Sequence, residues 1–316
     1  LDNGEGENVG KRDFLAVTDW DREKILKVVE KSLDLKRETK KGMDYRPLKG
    51  RMMAMVFEKP SLRTRVSFEM AMHQLGGSAI NLPPTEIQMG KRESLPDVAR
   101  VLSRYVDCIM ARVFGHETVT GLAEHSSVPV INGLSDYNHP CQIVGDLLTV
   151  LEAKGAIEGV KVAYVGDGNN VANSWLNAAS RLAIDLTLVI PRGYEPDGPT
   201  LKRAISETPG SVSLTFSVEE GVPGADVIYT DVWASMGQED EAAKRKNDFQ
   251  GYAVDKKMLS LAKKDAVVMH CLPAHRGDEI TDEVMDGRQA VVFDQAENRL
   301  HGQKGIICEL MIADWS

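Results

Sequence analysis

The chain has 316 residues, long for one ordinary domain and short for three, so two domains are expected. Its 42% hydrophobic and 27% charged residues are ordinary for a globular protein. Lys+Arg 38 against Asp+Glu 47 gives a net charge of −9, which excludes a global attraction to nucleic acid or anionic lipid and leaves any anion to a local cluster.

The first stretch, LDNGEGENVGKRDF, is Gly-rich and acidic, unlike a signal peptide or a basic transit peptide. A processed terminus and an artificial boundary both fit it. Residues 20–41 carry helical spacing at Ile25, Val28, Val29 and Leu33, with Asp19 or Asp21 as cap. RMMAMVFE (51–58) reads as a buried strand. Phe68, Ala71, Met72 and Leu75 then mark an amphipathic helix that ends at Gly76-Gly77. Strands at 78–82, 108–113 and 128–133 alternate with helices at 95–105, 116–127 and 139–153. After Gly155 and Gly159 a second alternation starts, with strands expected at 160–167, 185–191, 225–233, 266–273 and 290–295. Strands alternating with helices predict an α/β chain of two doubly wound parallel-sheet domains with a cleft between them. The expected boundaries are 12–150, 151–300 and a C-terminal helix, 301–316, packing back on the first domain. KRKND (244–248) reads as a solvated face. No apolar run reaches membrane-spanning length. Cys108, Cys141, Cys271 and Cys308 form no CxxC, which favours a reducing compartment.

Several short stretches carry chemistry. In FEKPSLRTRVSFE (57–69) a strand leads in, Pro60 stiffens the turn and a helix leaves. The free N–H groups of a helix start favour an anion, the hydroxyls of Ser61 and Thr64 add donors, and Arg63 supplies a planar fork. A surface loop with an incidental capping serine fits the same residues. YVGDGNNVANSW (164–175) has Gly166 and Gly168 at the first two positions of a dinucleotide motif, but Val171 at the third. The preferred reading is a turn that offers Asn169 and Asn170 to a small polar ligand. In HCLPAHRGDE (270–279) neighbouring His270 and Cys271 are not expected to converge on one metal ion. NHPCQ (138–142) offers His139 as a donor to a carbonyl or phosphoryl oxygen. DVWASMGQE (231–239) sets Asp231, Ser235 and Met236 on a turn.

Taken in order, SLRTR, ARVF with Arg112, HPCQ, DGNN, DVWASMG, HCLP and AENR (296–299) resemble the carbamoyltransferases, the ornithine carbamoyltransferases in particular, from about residue 12 onward. IQMGKRES and VARVLSRY look most like plant-type members, which implies the plastid stroma, with the cytoplasm as alternative. The resemblance implies transfer of the carbamoyl group of carbamoyl phosphate to the δ-amine of L-ornithine, a step of arginine biosynthesis, without metal or other cofactor. It implies that Ser61, the Leu62 N–H, Arg63, Thr64 and Arg112 hold carbamoyl phosphate, together with His139, Gln142, Cys271, the Leu272 carbonyl and Arg299. Gln88 would reach the neighbouring subunit's site in a homotrimer. Asn170, Asp231, Ser235 and Met236 would hold ornithine, and Asp231, Cys271, Arg112 and His139 would serve catalysis. The family usually has Thr where this chain has Leu62, so the phosphate contact there is expected through the backbone. Three other readings stay open: a different acceptor (putrescine, an acylated ornithine or aspartate), a nucleotide-binding dehydrogenase, against which Val171 counts, and a non-catalytic relative, which Leu62 favours.

Overall fold

The computed structural model describes residues 12–87, 93–234, 239–313 and 315. The first half runs α1 (Arg22–Lys40), β1 (Met52–Phe57), α2 (Leu62–Gln74), β2 (Ser78–Leu82), α3 (Pro84–Ile87), α4 (Leu95–Leu102), β3 (Cys108–Arg112), α5 (His116–His125), β4 (Val130–Leu134) and α6 (Pro140–Lys154). The second runs β5 (Lys161–Val165), α7 (Asn170–Ala179), β6 (Asp185–Val189), α8 (Gly198–Glu207), β7 (Ser211–Thr215), α9 (Val218–Gly221), β8 (Val227–Thr230), α10 (Ala242–Asp248), α11 (Lys256–Leu259), β9 (Val267–His270), α12 (Asp282–Met285) and α13 (Val292–Met311). The strand order is β2-β1-β3-β4 in one sheet and β7-β6-β5-β8-β9 in the other, all pairs parallel.

That order creates one switch point per sheet. From β1 the chain winds out to β2 and then returns to the other side as β3. From β5 it winds out to β6 and β7 and returns as β8. Helices diverge at such points and leave a crevice at the strands' carboxyl ends. The β1 and β3 ends carry Ser61 and Arg112, and the β5 and β8 ends carry Asp167 and Asp231.

Two expectations about elements need correction. Residues 290–295 are not a strand. Ala290 makes a single bridge to Val268, and the chain then coils into α13. Short β-branched runs suit either state, and here the bridge and the helix it leads into decide. The C-terminal helix therefore begins at Val292, upstream of the expected 301. β7, which the sequence reading missed, lies on the sheet edge with no fully buried residue, so it lacks an apolar signature.

α13 ties the molecule together, packing on α6, α1 and α2 of the first half. It crosses α6 where Gly145 and Gly302 meet; a Cβ on Gly145 would lie 3.0 Å from the Arg299 Cα. This close approach carries Arg299 to the first half's switch point. Asp21, one of the two expected caps, accepts from the Lys24 N–H at the start of α1.

Candidate functional site

A cleft of about 1030 Å³ opens between the two switch points. On the first-half wall, Ser61 caps α2 and Leu62 is its first residue, so the Leu62 N–H has no intrahelical partner. The Leu62 side chain is 77% exposed. Thr64 is buried, and its hydroxyl oxygen accepts from Arg299 Nη2 at 2.5 Å, Arg112 Nη1 at 3.2 Å and Ser61 Oγ at 3.0 Å. Two guanidinium groups from distant parts of the chain thus converge on one oxygen, with exposed Arg63 at the rim.

This crowding is electrostatically costly. Burial, and then the neighbouring charges of Arg299 and Arg63, lower Arg112 to about 9. Burial also lowers Arg299. A guanidinium keeps its proton inside proteins, so both remain cations. Each Nε is buried and finds no partner among the described residues. The same charges, after burial itself, push His139 well below its usual range, so the ring is neutral. The His139 N–H donates to Ser174 Oγ at 2.7 Å, while its buried Nδ1 is unpartnered among the described residues. Gln142 is the third residue of α6, and its buried Oε1 is likewise unpartnered among the described residues.

The facing wall is a hydrogen-bonded chain. Asp231 Oδ1 accepts from Cys271 Sγ at 2.9 Å, and Oδ2 accepts from Asn169 Nδ2 at 2.8 Å. Asn169 is locked in turn: its Oδ1 takes the Tyr164 hydroxyl and the N–H groups of Val171 and Ala172, capping α7. Burial, with Asp231 beside it, drives the Cys271 thiol well up, although the residue still touches the cleft. Its sulfur is a protonated donor, not a thiolate. Asn170 reaches across the cleft and donates to the Ser135 carbonyl at 2.8 Å.

Asp231, His270 and Cys271 offer ligand atoms within 4.8 Å of one another. The neighbours do converge, contrary to expectation, but the His270 ring is already committed at both nitrogens. His270 Nδ1 accepts from the Leu272 N–H at 2.9 Å, so its Nε2 carries the proton and donates to Glu279 at 3.0 Å. The acceptor at Nδ1 also holds Leu272 in a left-handed backbone, φ 60, beside its cis bond to Pro273. The dinucleotide-like turn has a local explanation too. A Cβ on Gly168 would meet the Tyr194 oxygen and the Pro196 nitrogen at 2.4 Å, so a neighbouring loop already fills the space over the glycine.

Of the residues singled out in the sequence, Ser61, Leu62, Arg63, Arg112, His139, Gln142, Asn170, Asp231, Cys271, Leu272 and Arg299 line this cleft, and Thr64 stands directly behind it. Gln88, Ser235 and Met236 lie outside the described residues. Sequence reasoning missed Asp167 and Arg245. Arg245, inside the stretch read as a solvated face, is only 6% exposed. It pairs with Asp167 at 3.0 Å, donates to the Trp233 carbonyl at 2.8 Å and stacks over Tyr194. Burial raises Asp167 to about 6 against the opposing pull of Arg245. The charge pattern of KRKND hides this, because the neighbouring Lys244 and Lys246 are exposed.

Comparison with known proteins agrees with this two-walled geometry. The model of the aspartate/ornithine carbamoyltransferase carbamoyl-P binding domain matches residues 12–152, and that of the Asp/Orn binding domain matches 158–310. The chloroplastic ornithine carbamoyltransferase of Pisum sativum is 50% identical over 96% of this chain and 81% of its own length. The ornithine carbamoyltransferase of Syntrophus aciditrophicus is 51% identical over 96% of this chain and 100% of its own. The solved ornithine carbamoyltransferase from Pyrococcus furiosus superposes with a TM-score of 0.93 at 50% identity, covering 96% of this chain and 98% of that one. With both of its halves matched and relatives at half identity over nearly their full length, the chain belongs to the aspartate/ornithine carbamoyltransferase family.

Proposed function

We propose that the protein transfers the carbamoyl group of carbamoyl phosphate to the δ-amine of L-ornithine, releasing citrulline and phosphate. The observation that carries this reading is the convergence of Arg112 and Arg299 on the Thr64 hydroxyl at the start of α2, facing the Asp231–Cys271 pair across one cleft. A phosphate dianion suits a place where two buried cations and a helix start have no carboxylate ion pair among the described residues. Ser61, the Leu62 N–H, Arg63 and Thr64 would take the phosphate. His139, Arg112, Gln142, Arg299 and the Leu272 carbonyl would take the carbamoyl end.

Ornithine would lie on the opposite wall, its ammonium and carboxylate held by Asp231 and Asn170, with Ser235 and Met236 closing over it. Its δ-amine attacks the carbamoyl carbon after losing a proton. The negative charge then developing on the carbamoyl oxygen meets Arg112 and the neighbouring donors. Such donors stabilise the tetrahedral species more than the ground state, each by about 3 kcal/mol. Holding both reactants in one cleft supplies much of the remaining acceleration.

A homotrimer belongs to the same proposal. Val66 and Met70 on α2 and Ile80 on β2 are exposed, and apolar side chains left uncovered there suit a second copy that lends Gln88. So does plastid residence, which the pea relative's name supports while the bacterial and archaeal relatives favour the cytoplasm equally. Turnover of carbamoyl phosphate with ornithine, putrescine, N-acetylornithine and aspartate tests the reading. Ornithine should be the best acceptor, and a larger kcat/KM for any of the others overturns it. Light scattering and cell fractionation test the trimer and the compartment.

A further inference from the structure

Asp146 lies on α6 behind the cleft wall, fully buried, and no step above uses it. Its Oδ1 accepts two amide protons, from Gln142 Nε2 at 2.8 Å and from Gln295 Nε2 at 2.7 Å. Gln295, on α13, accepts at its own Oε1 from the His270 N–H at 2.8 Å and so ties this node to the HCLP turn. An ionised carboxylate only accepts. Gln142 must therefore turn its NH2 toward Asp146 and its carbonyl oxygen the other way. That oxygen is buried and unpartnered among the described residues, and Gln142 lines the cleft.

We propose that Asp146 is a positioning residue that sets the preference for a carbamoyl over an acetyl group, by holding the Gln142 amide with its oxygen toward the cleft. An acceptor at that place pairs with the NH2 of a carbamoyl group. A methyl there leaves the acceptor buried and bare, which a site built around a hydrogen bond rejects strongly. Were the amide turned, its NH2 would meet the substrate's NH2, donor against donor. Burial raises Asp146 to about 7 while the two glutamines pull it down, but a proton on Oδ2 leaves Oδ1 an acceptor in either state.

The inference rests on the carbamoyl phosphate reading above, and its test separates the two. Asp146→Leu removes the acceptor, and Asp146→Asn keeps an amide oxygen in its place. For each full-length variant one measures KM for carbamoyl phosphate and for ornithine, and competitive inhibition by acetyl phosphate and by inorganic phosphate. Asp146→Leu should raise the carbamoyl phosphate KM about tenfold or more. Both inhibition constants and the ornithine KM should stay within about twofold, the loss being confined to the amide end. Asp146→Asn should remain within about threefold of the parent throughout. Equal weakening of carbamoyl phosphate, acetyl phosphate and phosphate overturns the inference, as does an Asn variant no better than the Leu variant. If Asp146→Leu does not fold, Asp146→Ser, too short to reach Gln142, replaces it with the same expectations. Loss of fold in both refutes the inference, since Asp146 would then serve the fold and not the amide. An unchanged Asp146→Leu in an active parent background removes only this inference. A parent protein that neither turns over carbamoyl phosphate nor binds phosphate removes the functional reading itself.

Discussion

Replacing Thr64 by Val keeps the side-chain shape and deletes one oxygen. That oxygen accepts from Arg299 at 2.5 Å, Arg112 at 3.2 Å and Ser61 at 3.0 Å. Hydrogen bonds to charged groups contribute about 1.5–3 kcal/mol each. Arg112 and Arg299 are 6% and 5% exposed, so bulk water replaces little of the loss, although the cleft admits some. A net cost of about 3 kcal/mol follows, the lower end of two such bonds. Unfolding entropy is about 2.1 cal/mol/K per residue, so over 316 residues this cost lowers Tm by about 4–5 °C. The guanidinium groups also lose the atom that aligns them, and a misplacement of about 1 Å commonly costs about 100-fold in rate. Calorimetry of the ligand-free protein and steady-state kinetics with carbamoyl phosphate read both effects. A Val variant melting within about 1 °C of the parent, with kcat/KM within about threefold, would show that the two arginines do not depend on this oxygen, and the reasoning about the anion hole would be wrong.

Arg245→Ala removes the ion pair to Asp167 and the bond to the Trp233 carbonyl that anchor the entry of the 231–239 turn. It should raise the ornithine KM about tenfold and leave the carbamoyl phosphate KM nearly unchanged; steady-state kinetics that move both equally refute the assignment. Burial pushes up the thiols of all four cysteines, Cys141 and Cys308 to about 12. Native protein at about pH 8 should therefore react with iodoacetamide far more slowly than free cysteine, and mass spectrometry should find all four labelled only after denaturation. Rapid labelling of Cys271 would contradict its hydrogen bond to Asp231. Asp146, at about 7 in the folded chain against an ordinary 3.8, holds a proton that the unfolded chain releases between those values. Its burial therefore costs nothing below about pH 4 and destabilises progressively up to about pH 7. Asp146→Asn lifts that cost and should stabilise by on the order of 2–4 kcal/mol at about pH 8, with the gain vanishing near pH 4. Denaturant unfolding at the two pH values decides it, and a gain that grows toward low pH refutes the sign.

The two-domain alternation was legible because buried parallel strands are short apolar runs separated by amphipathic helices. β2 coincides with SAINL, and β1 lies within RMMAMVFE. The helix start at SLRTR was legible because Pro60, a capping serine and the apolar helical spacing that follows are all local. Arg112 and Arg299 entered through a resemblance, since nothing near either residue in the chain says that they meet. The register of β3 beside β1 and the glycine crossing of α13 over α6 bring them onto one hydroxyl. Asp146, Asp167 and Arg245 were invisible for the same reason. Each looks like an ordinary charged residue until the partner that justifies its burial arrives from a distant segment. Local pattern thus determined most of the elements, including the helix start at Leu62. Only tertiary structure decided which buried charges face one another, because a charge is tolerated in the interior by virtue of its neighbours in space, and those neighbours are chosen by strand order and helix crossing.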